Sequence, residues 1–411
     1  MPDDETPAAT GAEPPGGDAG DASPTPPPAL SRKELRQQSA KEKRGSSAVW
    51  WYVLGGVGVL LVAAVITLVA TSGPKTATAK AQAAPTTTTA PAPVPTCPLT
   101  GTPAPGGTVP ARPALGVKIG NYPDDRPSAG LNQADIVFEE PVEGAITRLV
   151  AVFQCQGAPL VGDLRSARQP DAGILSQLSN PLFVHAGGID PVISLLQASA
   201  LQDENLYSGN RGSAIIMQPG RESPYSTFVN TASLWAFVPA DVTPPAPIFQ
   251  FSASPPTGSV PGSGGSVHIP FSSSSDVTWT WSPSTGTYLR SYAGTPDTLL
   301  TGGQTAAKNV VVLTVQTAYG SWVENEEGGH EVLVTSTGTG PLVVLRDGVA
   351  ITGTWSRTSL TAPTTFTATD GTPITLSPGN TWEELVPAGI TVTTTPAAPP
   401  AGAAPTTTAA G

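Results

Sequence analysis

The chain has 411 residues and a formal net charge of −11, and its 44 glycines and 46 prolines together exceed one fifth of the residues. This composition lowers the fraction that can form a packed core, and the acidic balance argues against a nucleic-acid binder, which needs a basic face. Two cysteines and three histidines argue against a closed structural zinc site, so we predict no metal and no cofactor.

The N-terminal part predicts a membrane anchor. Residues 1–48 read as a disordered cytoplasmic tail that ends in a basic juxtamembrane segment, and residues 49–70 carry no charge. An apolar helix of that length spans roughly 33 Å, enough for a hydrocarbon core. We therefore expect a transmembrane helix at 49–71. Because the basic residues precede it, the N-terminus is expected in the cytoplasm and the folded domains outside.

A cleaved signal peptide is the alternative reading of the same run, although its length and the 48 preceding residues favour an uncleaved anchor. The expected localisation is thus the cell membrane, single-pass, with extracytoplasmic domains. Residues 72–112 form a Pro/Thr-rich linker with a reach on the order of 100 Å.

Residues 113–240 mix short apolar runs with stretches of helical spacing. "ALGVKIGN", "DIVFEE" and "LFVHAGG" are typical of strands, whereas "PDAGILSQLSN", "DPVISLLQASAL" and "YSTFVNTASLWAFV" have helical spacing. We therefore predict an α+β domain of layered sheet and helices. After a connector at 241–266, short strands over 267–388 predict a β-rich second domain. The Ala/Pro/Thr-rich composition of residues 389–411 predicts a disordered tail.

The two cysteines lie on the side of the membrane where disulfides persist. Cys97 falls in the linker and Cys155 just after a predicted strand. One intramolecular bond or an intermolecular pair is possible, and we favour the internal bond, which would attach the linker to the domain.

Several motifs in order resemble the YerB-like family of bacterial envelope proteins, whose function is uncharacterised. They include "LGVKIGNYPDDRPSAGLNQADIVFEEPVEGAITRLVAVFQ", "GDLRSAR", "VTWTWSPSTGTYLRS", "LVVLRDGVAITGTWSR" and "LSPGNTWEELVP". The resemblance covers about residues 112–388 and implies an α+β domain, a β-rich domain and attachment to the outer face of the membrane. Members are often lipoproteins, and Tyr225 stands where the family tends to have a histidine.

Arginine dominates the basic residues of 113–240, and it offers a planar fork for carboxylate or phosphate. The arginines either pair internally with nearby carboxylates or form a site for an anionic envelope ligand at strand-end loops. The six arginines of this segment are Arg126, Arg148, Arg165, Arg168, Arg211 and Arg221. The candidate ligand-binding residues are Arg148, Arg165, Ser166, Arg168, His185 and Arg221.

An enzyme remains open as a second interpretation. Glu139 or Glu143 with His185 would suit general acid–base chemistry if their side chains converge. The loop "ENEEGGH" could bind a divalent cation weakly, but an exposed acidic hairpin loop is favoured. The leading interpretation is a membrane-anchored binding or scaffold protein for an anionic cell-wall polymer or an envelope protein. The alternative is a hydrolase or transferase acting on a cell-wall glycan or phosphopolymer.

Overall fold

The computed structural model of the protein describes residues 94–207, 212–239 and 242–398. The chain divides into two compact units, Met1–Thr89 and Ala90–Gly411, and all described residues lie in the second. The predicted cytoplasmic tail at 1–48, the segment at 49–71 and Arg211 therefore fall outside the described residues.

Strands make up most of the described chain, and its helices are short. The α-helices are α1 (Gln169–Leu175), α2 (Asp190–Ala198) and α3 (Thr231–Trp235). The 3₁₀ turns are Pro105–Gly107, Pro123–Asp125, Leu131–Gln133, Glu143–Ala145, Ser176–Leu178 and Gly212–Ala214.

The strands of the first half are β1 (Leu115–Ile119), β2 (Ile136–Val142), β3 (Ile146–Phe153), β4 (Val161–Gly162), β5 (Leu182–His185), β6 (Gln202–Asn205), β7 (Ile215–Met217) and β8 (Thr227–Val229). Those of the second half are β9 (Ser266–Pro270), β10 (Asp276–Ser282), β11 (Thr287–Tyr292), β12 (Thr295–Pro296), β13 (Ala306–Ala307), β14 (Asn309–Val315), β15 (Thr317–Val323), β16 (His330–Val334), β17 (Gly338–Arg346), β18 (Val349–Arg357), β19 (Thr365–Ala368), β20 (Thr381–Pro387) and β21 (Thr393–Thr395).

One ten-stranded sheet contains strands from both halves of the chain, in the order β19-β18-β17-β14-β20-β2-β3-β1-β5-β6. The halves meet where β2 and β20 run parallel, from the pair Ile136↔Thr381 to the pair Glu139↔Glu384. A six-stranded sheet has the order β12-β11-β10-β9-β21, with β13 on β11. Smaller sheets are formed by β15-β16 and by β4-β8-β7.

Both faces of the large sheet are covered, as the alternation of side chains along β2 shows. Phe138 lies in a core shared with Leu175 of α1. Val137, its neighbour, lies in a second core shared with Trp279 and Tyr288 of the six-stranded sheet. The large sheet is thus packed between short helices on one side and the smaller sheet on the other.

The same alternation separates two adjacent carboxylates of β2. Glu139 faces the six-stranded sheet and forms an ion pair with Arg290 of β11, whereas Glu140 faces the helices and accepts a hydrogen bond from Lys118 of β1. All four side chains are fully buried. Successive residues of one strand therefore place an ion pair in each core.

The carboxyl of Glu384 lies beside Glu139 because β20 and β2 are in parallel register. Burial and the neighbouring Glu139 raise the pKa of Glu384 well above its ordinary value, although Arg290 opposes this. Trp279 Nε1 donates a hydrogen bond to Glu384 Oε1 at 2.7 Å. The Arg290 guanidinium also lies 4.2 Å from the centre of the Tyr292 ring. The environment of Glu384 therefore favours its protonated form, and one guanidinium serves two adjacent carboxyl groups.

The predicted layered α+β domain over 113–240 is wrong, since the described chain is mainly sheet. "YSTFVNTASLWAFV", for which one helix is predicted, instead forms strand β8 and the five-residue helix α3. Phe228 and Val229 are fully buried where β8 pairs with β4 and β7. Packing against neighbouring strands therefore overrides the local helical spacing.

The predicted transmembrane helix and single-pass topology are corrected as well. No helix within the described ranges is long and apolar enough to cross a membrane, and the longest of them, α2, has nine residues. The apolar run at 49–71 lies outside those ranges. An apolar run of sufficient length is needed for a membrane-spanning helix but does not by itself establish one. The predicted transmembrane helix is therefore not part of the described fold.

The disulfide prediction is confirmed. Cys97 and Cys155 are bonded, with their Cα atoms 5.9 Å apart and a sequence separation of 58. Both are buried, in a small cluster with Ala104. The last part of the predicted linker is thereby attached to the end of β3.

The first residues of the predicted C-terminal tail also join the fold. Thr393–Thr395 pairs with β9 at the edge of the six-stranded sheet, with Thr393 opposite His268. The side chains of this strand are exposed, so backbone hydrogen bonds hold it rather than burial.

Replacing both cysteines with serine should lower the free energy of unfolding by about 4 kcal/mol, because the cross-link no longer restricts the unfolded chain. Urea denaturation of the double variant Cys97→Ser/Cys155→Ser against the oxidised protein measures the difference. Added reductant should bring the wild type to the stability of the variant and leave the variant unchanged. Equal stability of the oxidised and reduced wild type would contradict the expectation.

Glu383 of β20 gives a second prediction, because burial raises the pKa of its carboxyl to about 8 while Arg357 opposes the shift. The side chain lines a cavity of about 20 Å³ with Arg357 and Gln177. The folded protein thus holds this proton at pH values where the unfolded chain has lost it. The stability that Glu383 contributes falls as pH rises from the ordinary value of 4.5 towards 8.

The substitution Glu383→Gln removes this titration. The variant should gain stability relative to wild type as pH rises from 5 to 9, by up to about 1.4 kcal/mol per pH unit within the window. Thermal and urea denaturation at three pH values test this. Glu326→Gln, which removes an exposed carboxylate, is the control and should show no such trend. A constant difference between Glu383→Gln and wild type across pH would refute the assignment.

Candidate functional site

The carboxyl ends of several strands meet at one edge of the large sheet. β1, β5 and β6 are parallel, and β3 is antiparallel to β1, so the start of β3 lies at the same edge. Residues 161–170, "VGDLRSARQP", run along this edge from β4 to α1: Arg165 N donates to Lys118 O, and Ala167 N donates to Gly187 O. Ligands commonly bind at such edges of sheets.

Five of the predicted residues come together here, and we call them the strand-end cluster. They come from the end of β2, the start of β3 and the loop before α1. The members of the cluster are Glu143, Arg148, Arg165, Ser166 and Arg168. Its arginines differ in how completely their charge is compensated.

Arg168 is fully engaged. Its guanidinium forms a two-point interaction with the Glu143 carboxylate, with Nε donating to Oε2 at 2.8 Å. Although burial alone would raise the pKa of Glu143, the hydrogen bonds from Arg168 hold it below the ordinary value. Glu324, in the loop after β15, lies 3.4 Å from Arg168 Nε. The second half of the chain therefore helps to neutralise this arginine.

Arg165 is also paired. Its Nε donates to Asp125 Oδ1 at 2.8 Å, its Nη1 donates to the carbonyl of Pro224 at 2.8 Å, and its guanidinium lies 4.5 Å from the centre of the Tyr225 ring. Asp163 is 3.6 Å away, but burial and the charge of Asp125 raise its pKa to about 8. At neutral pH Asp163 is mostly protonated and adds little compensating charge.

Arg148 is the least compensated of the three. Its Nη1 donates to the Ser166 carbonyl at 2.8 Å. Among the described residues the only carboxylate oxygen within 4 Å of its nitrogens is Glu143 Oε1, at 3.8 Å, and that oxygen already accepts from Arg168. Burial, and next the charge of Arg168, lower the pKa of Arg148 to about 10. It therefore remains charged at neutral pH with spare donor capacity.

The other predicted residues, His185 and Arg221, have hydrogen-bond partners of their own. His185 is fully buried, with Nε2 2.7 Å from Asp203 Oδ1 and Nδ1 2.7 Å from Gly187 O. Arg221 donates to the backbone carbonyls of Asp124, Asp125 and Pro127. Each therefore has partners that fix loops and strands.

The acid–base residues of the enzyme interpretation do not converge. Glu139 pairs with Arg290 on the opposite face of the sheet, Glu143 pairs with Arg168, and His185 pairs with Asp203. The described part of the chain contains no group of three or more metal-ligating side chains arranged to hold an ion. In the loop "ENEEGGH", the candidate for a weak divalent-cation site, the carboxylate of Glu324 faces Arg168.

One ionic group next to the cluster was not predicted from the sequence. Lys118 Nζ donates to Glu140 and, at 2.8 Å, to Asp171 Oδ1 of α1, and all three side chains are fully buried. Burial and the charge of Asp171 raise the pKa of Glu140 to about 7, although Lys118 opposes this. A lysine inside the apolar strand "LGVKI" was the available signal, since a buried lysine needs an anionic partner.

Two family models match the chain: "Protein of unknown function (DUF3048) N-terminal domain" over residues 99–243 and the corresponding C-terminal domain over residues 267–382. Putative lipoprotein YerB of Bacillus subtilis is 43% identical over 90 residues, which is 22% of this chain and 27% of that relative. The match thus spans about a quarter of the curated relative.

The crystal structure of YerB from Bacillus subtilis has a similar fold. The TM-score is 0.62 at 23% identity, and the alignment covers 72% of this chain and 99% of the YerB chain. The resemblance to the YerB-like family is confirmed, and the solved structure supports the fold alone.

The buried pair of Arg168 and Glu143 gives a prediction about stability. Glu143→Gln should lower the free energy of unfolding by about 3 kcal/mol or more, since it leaves a buried guanidinium without its main partner. Arg168→Met with Glu143→Leu should cost less than the sum of the single changes, because neither charge is left unpaired. Urea denaturation of Glu143→Gln, of Arg168→Met, of Glu143→Leu and of the double variant measures the loss and the coupling. Glu222→Gln, at an exposed carboxylate, is the control; a loss no larger in Glu143→Gln than in this control would show that the pair is unimportant.

Proposed function

The chain belongs to the DUF3048 family, and on that premise we propose that it is a membrane-associated, extracytoplasmic binding protein of the bacterial envelope. Its ligand is an anionic group, a phosphate or carboxylate such as wall polymers carry, bound at Arg148 in the strand-end cluster. The observation that carries the proposal is the incomplete compensation of the Arg148 guanidinium.

The extracytoplasmic placement is supported by two observations. The Cys97–Cys155 disulfide joins residues far apart in sequence, and structural disulfides of this kind persist in oxidising compartments and are rare in the cytosol. The curated relative is described as a putative lipoprotein. Membrane association outside the cytoplasm agrees with both.

The anion would bind through the donors that Arg148 leaves unused. Among the described residues only its Nη1 has a hydrogen-bond partner, so the other side of the guanidinium fork can bind phosphate or carboxylate oxygens in two-point geometry. Arg165 and Arg168 add positive potential nearby, as their effect on the pKa of Arg148 indicates. A bound anion would relieve this repulsion.

Binding is favoured over hydrolysis or group transfer by the engagement of the acid–base candidates. Glu143 accepts two hydrogen bonds from Arg168, which keep it ionised and away from the role of a proton donor. His185 is fully buried between Asp203 and the Gly187 carbonyl. A general acid or base must reach the reacting proton, and neither group is placed to do so.

The experiment is a calorimetric titration of the protein with inorganic phosphate and, separately, acetate at constant ionic strength. Wild type should bind at least one of them, and Arg148→Gln should bind at least about tenfold more weakly, since one charge-assisted contact is lost. Arg148→Lys keeps the charge without the fork and should fall between them.

Lys308→Gln is the matched control, because it removes one positive charge from the partly exposed Lys308–Asp347 pair and leaves the cluster intact. It should bind as wild type does. The proposal fails if Arg148→Gln, folded with an unchanged melting temperature, binds as tightly as wild type, or if neither anion binds the wild type.

A further inference from the structure

A pocket of about 380 Å³, separate from the strand-end cluster, lies against the six-stranded sheet. It is within the volume range of small-molecule sites, roughly 300–1,000 Å³. Residues of the loop after β1 form one wall, and residues around β12 form the other. The lining residues include Arg126, Pro127, Tyr292, Pro296, Asp297 and Thr298.

Arg126 supplies a fixed cation to this pocket. Its guanidinium stacks on the Tyr292 ring, 3.3 Å from the ring centre. Nη2 donates to the carbonyls of Asn121 and Ser274, at 2.7 and 3.0 Å. Among the described residues Nη1 has no hydrogen-bond partner. Arg126 is therefore held in place and still has a donor group for a ligand.

Asp297 supplies a fixed anion on the other wall. Its Oδ2 accepts from Arg290 Nη1 at 3.1 Å, and Arg290 is fully buried and also paired with Glu139. Oδ1 of Asp297 has no partner among the described residues. The carboxylate is only 7% exposed, so it is oriented by the core and meets solvent only where the pocket reaches it.

Asn121 holds the residues behind the pocket together through its hydrogen bonds. Its Nδ2 donates to Glu139 Oε1 at 3.1 Å and to Thr147 Oγ1 at 2.7 Å. Its Oδ1 accepts from Tyr292 Oη at 2.5 Å and from Arg126 Nε at 3.4 Å. The two charged walls are thus connected through one hydrogen-bond network, and little ordering is needed when a ligand binds.

From this juxtaposition of Arg126 and Asp297 we propose that the pocket binds a small zwitterion, with a carboxylate on Arg126 and an ammonium group on Asp297. Free amino acids have this chemistry. A neutral ligand, or one with a single charge, would cover Nη1 of Arg126 or Oδ1 of Asp297 without giving it a charged partner, which costs affinity. This site is separate from the one proposed at Arg148.

The test is a ligand-observed NMR titration of the protein with a matched series of probes. Glycine carries both charges, N-acetylglycine only the carboxylate, glycinamide only the ammonium group, and N-acetylglucosamine neither. Glycine should bind wild type at least about tenfold more tightly than each of the others, since each lacks at least one charge-assisted contact.

Three variants make the result specific. Thr298→Trp fills the pocket from an exposed position and should abolish glycine binding without changing the melting temperature. Asp297→Asn should lose the preference for glycine over N-acetylglycine. Both variants are compared in an Arg148→Gln background, so that carboxylate bound at the strand-end cluster does not contribute. The preference for glycine should persist in that background, which distinguishes failure at one site from failure at the other.

Two results would overturn the proposal. One is equal binding of glycine and its blocked derivatives, or tighter binding of N-acetylglucosamine. The other is no glycine binding in the Arg148→Gln background, or binding that survives there in folded Thr298→Trp.

Discussion

The parallel pairing of β2 with β20 is the constraint on which the rest of the molecule depends. It joins the two halves of the chain in one sheet, and its register places Glu139 and Glu384 side by side in the core. Two buried carboxyl groups that lie side by side oppose each other's ionisation unless a cation is next to them. Arg290 provides the cation from the six-stranded sheet, so the interaction that permits the strand pairing also fastens the second sheet to the first.

Charges in the strand-end cluster are also balanced between the two halves of the chain. Glu143 is at the end of β2, where it orients Arg168, and Glu324 approaches that arginine from the second half of the chain. The charged residues of the first half are therefore balanced in part by residues encoded far downstream. The two matched family regions therefore share one sheet and at least two ion pairs, Glu139–Arg290 and Arg168–Glu324.

The sequence predicted strands β1, β2 and β5, the disulfide and the family. It did not predict the partners, because Glu139 and Arg290 are 151 residues apart and no local pattern links them. It also offered Glu139 or Glu143 as an acid–base partner of His185, whereas strand alternation sends Glu139 to the opposite face. Helical spacing in "YSTFVNTASLWAFV" was misleading because the buried β8 pairing outweighs the intrinsic preference of a short segment.

The Cys97–Cys155 bond also determines how the fold carries mechanical load. A pull on the chain ahead of Cys97 passes through the sulfur atoms directly to Cys155, at the end of β3 in the large sheet. The 57 residues between the cysteines, which contain β1 and β2, are bypassed while the bond is intact. Tension on a tether at the N-terminal side therefore cannot peel these strands away one after another, and it acts on a strand that has neighbours on both sides.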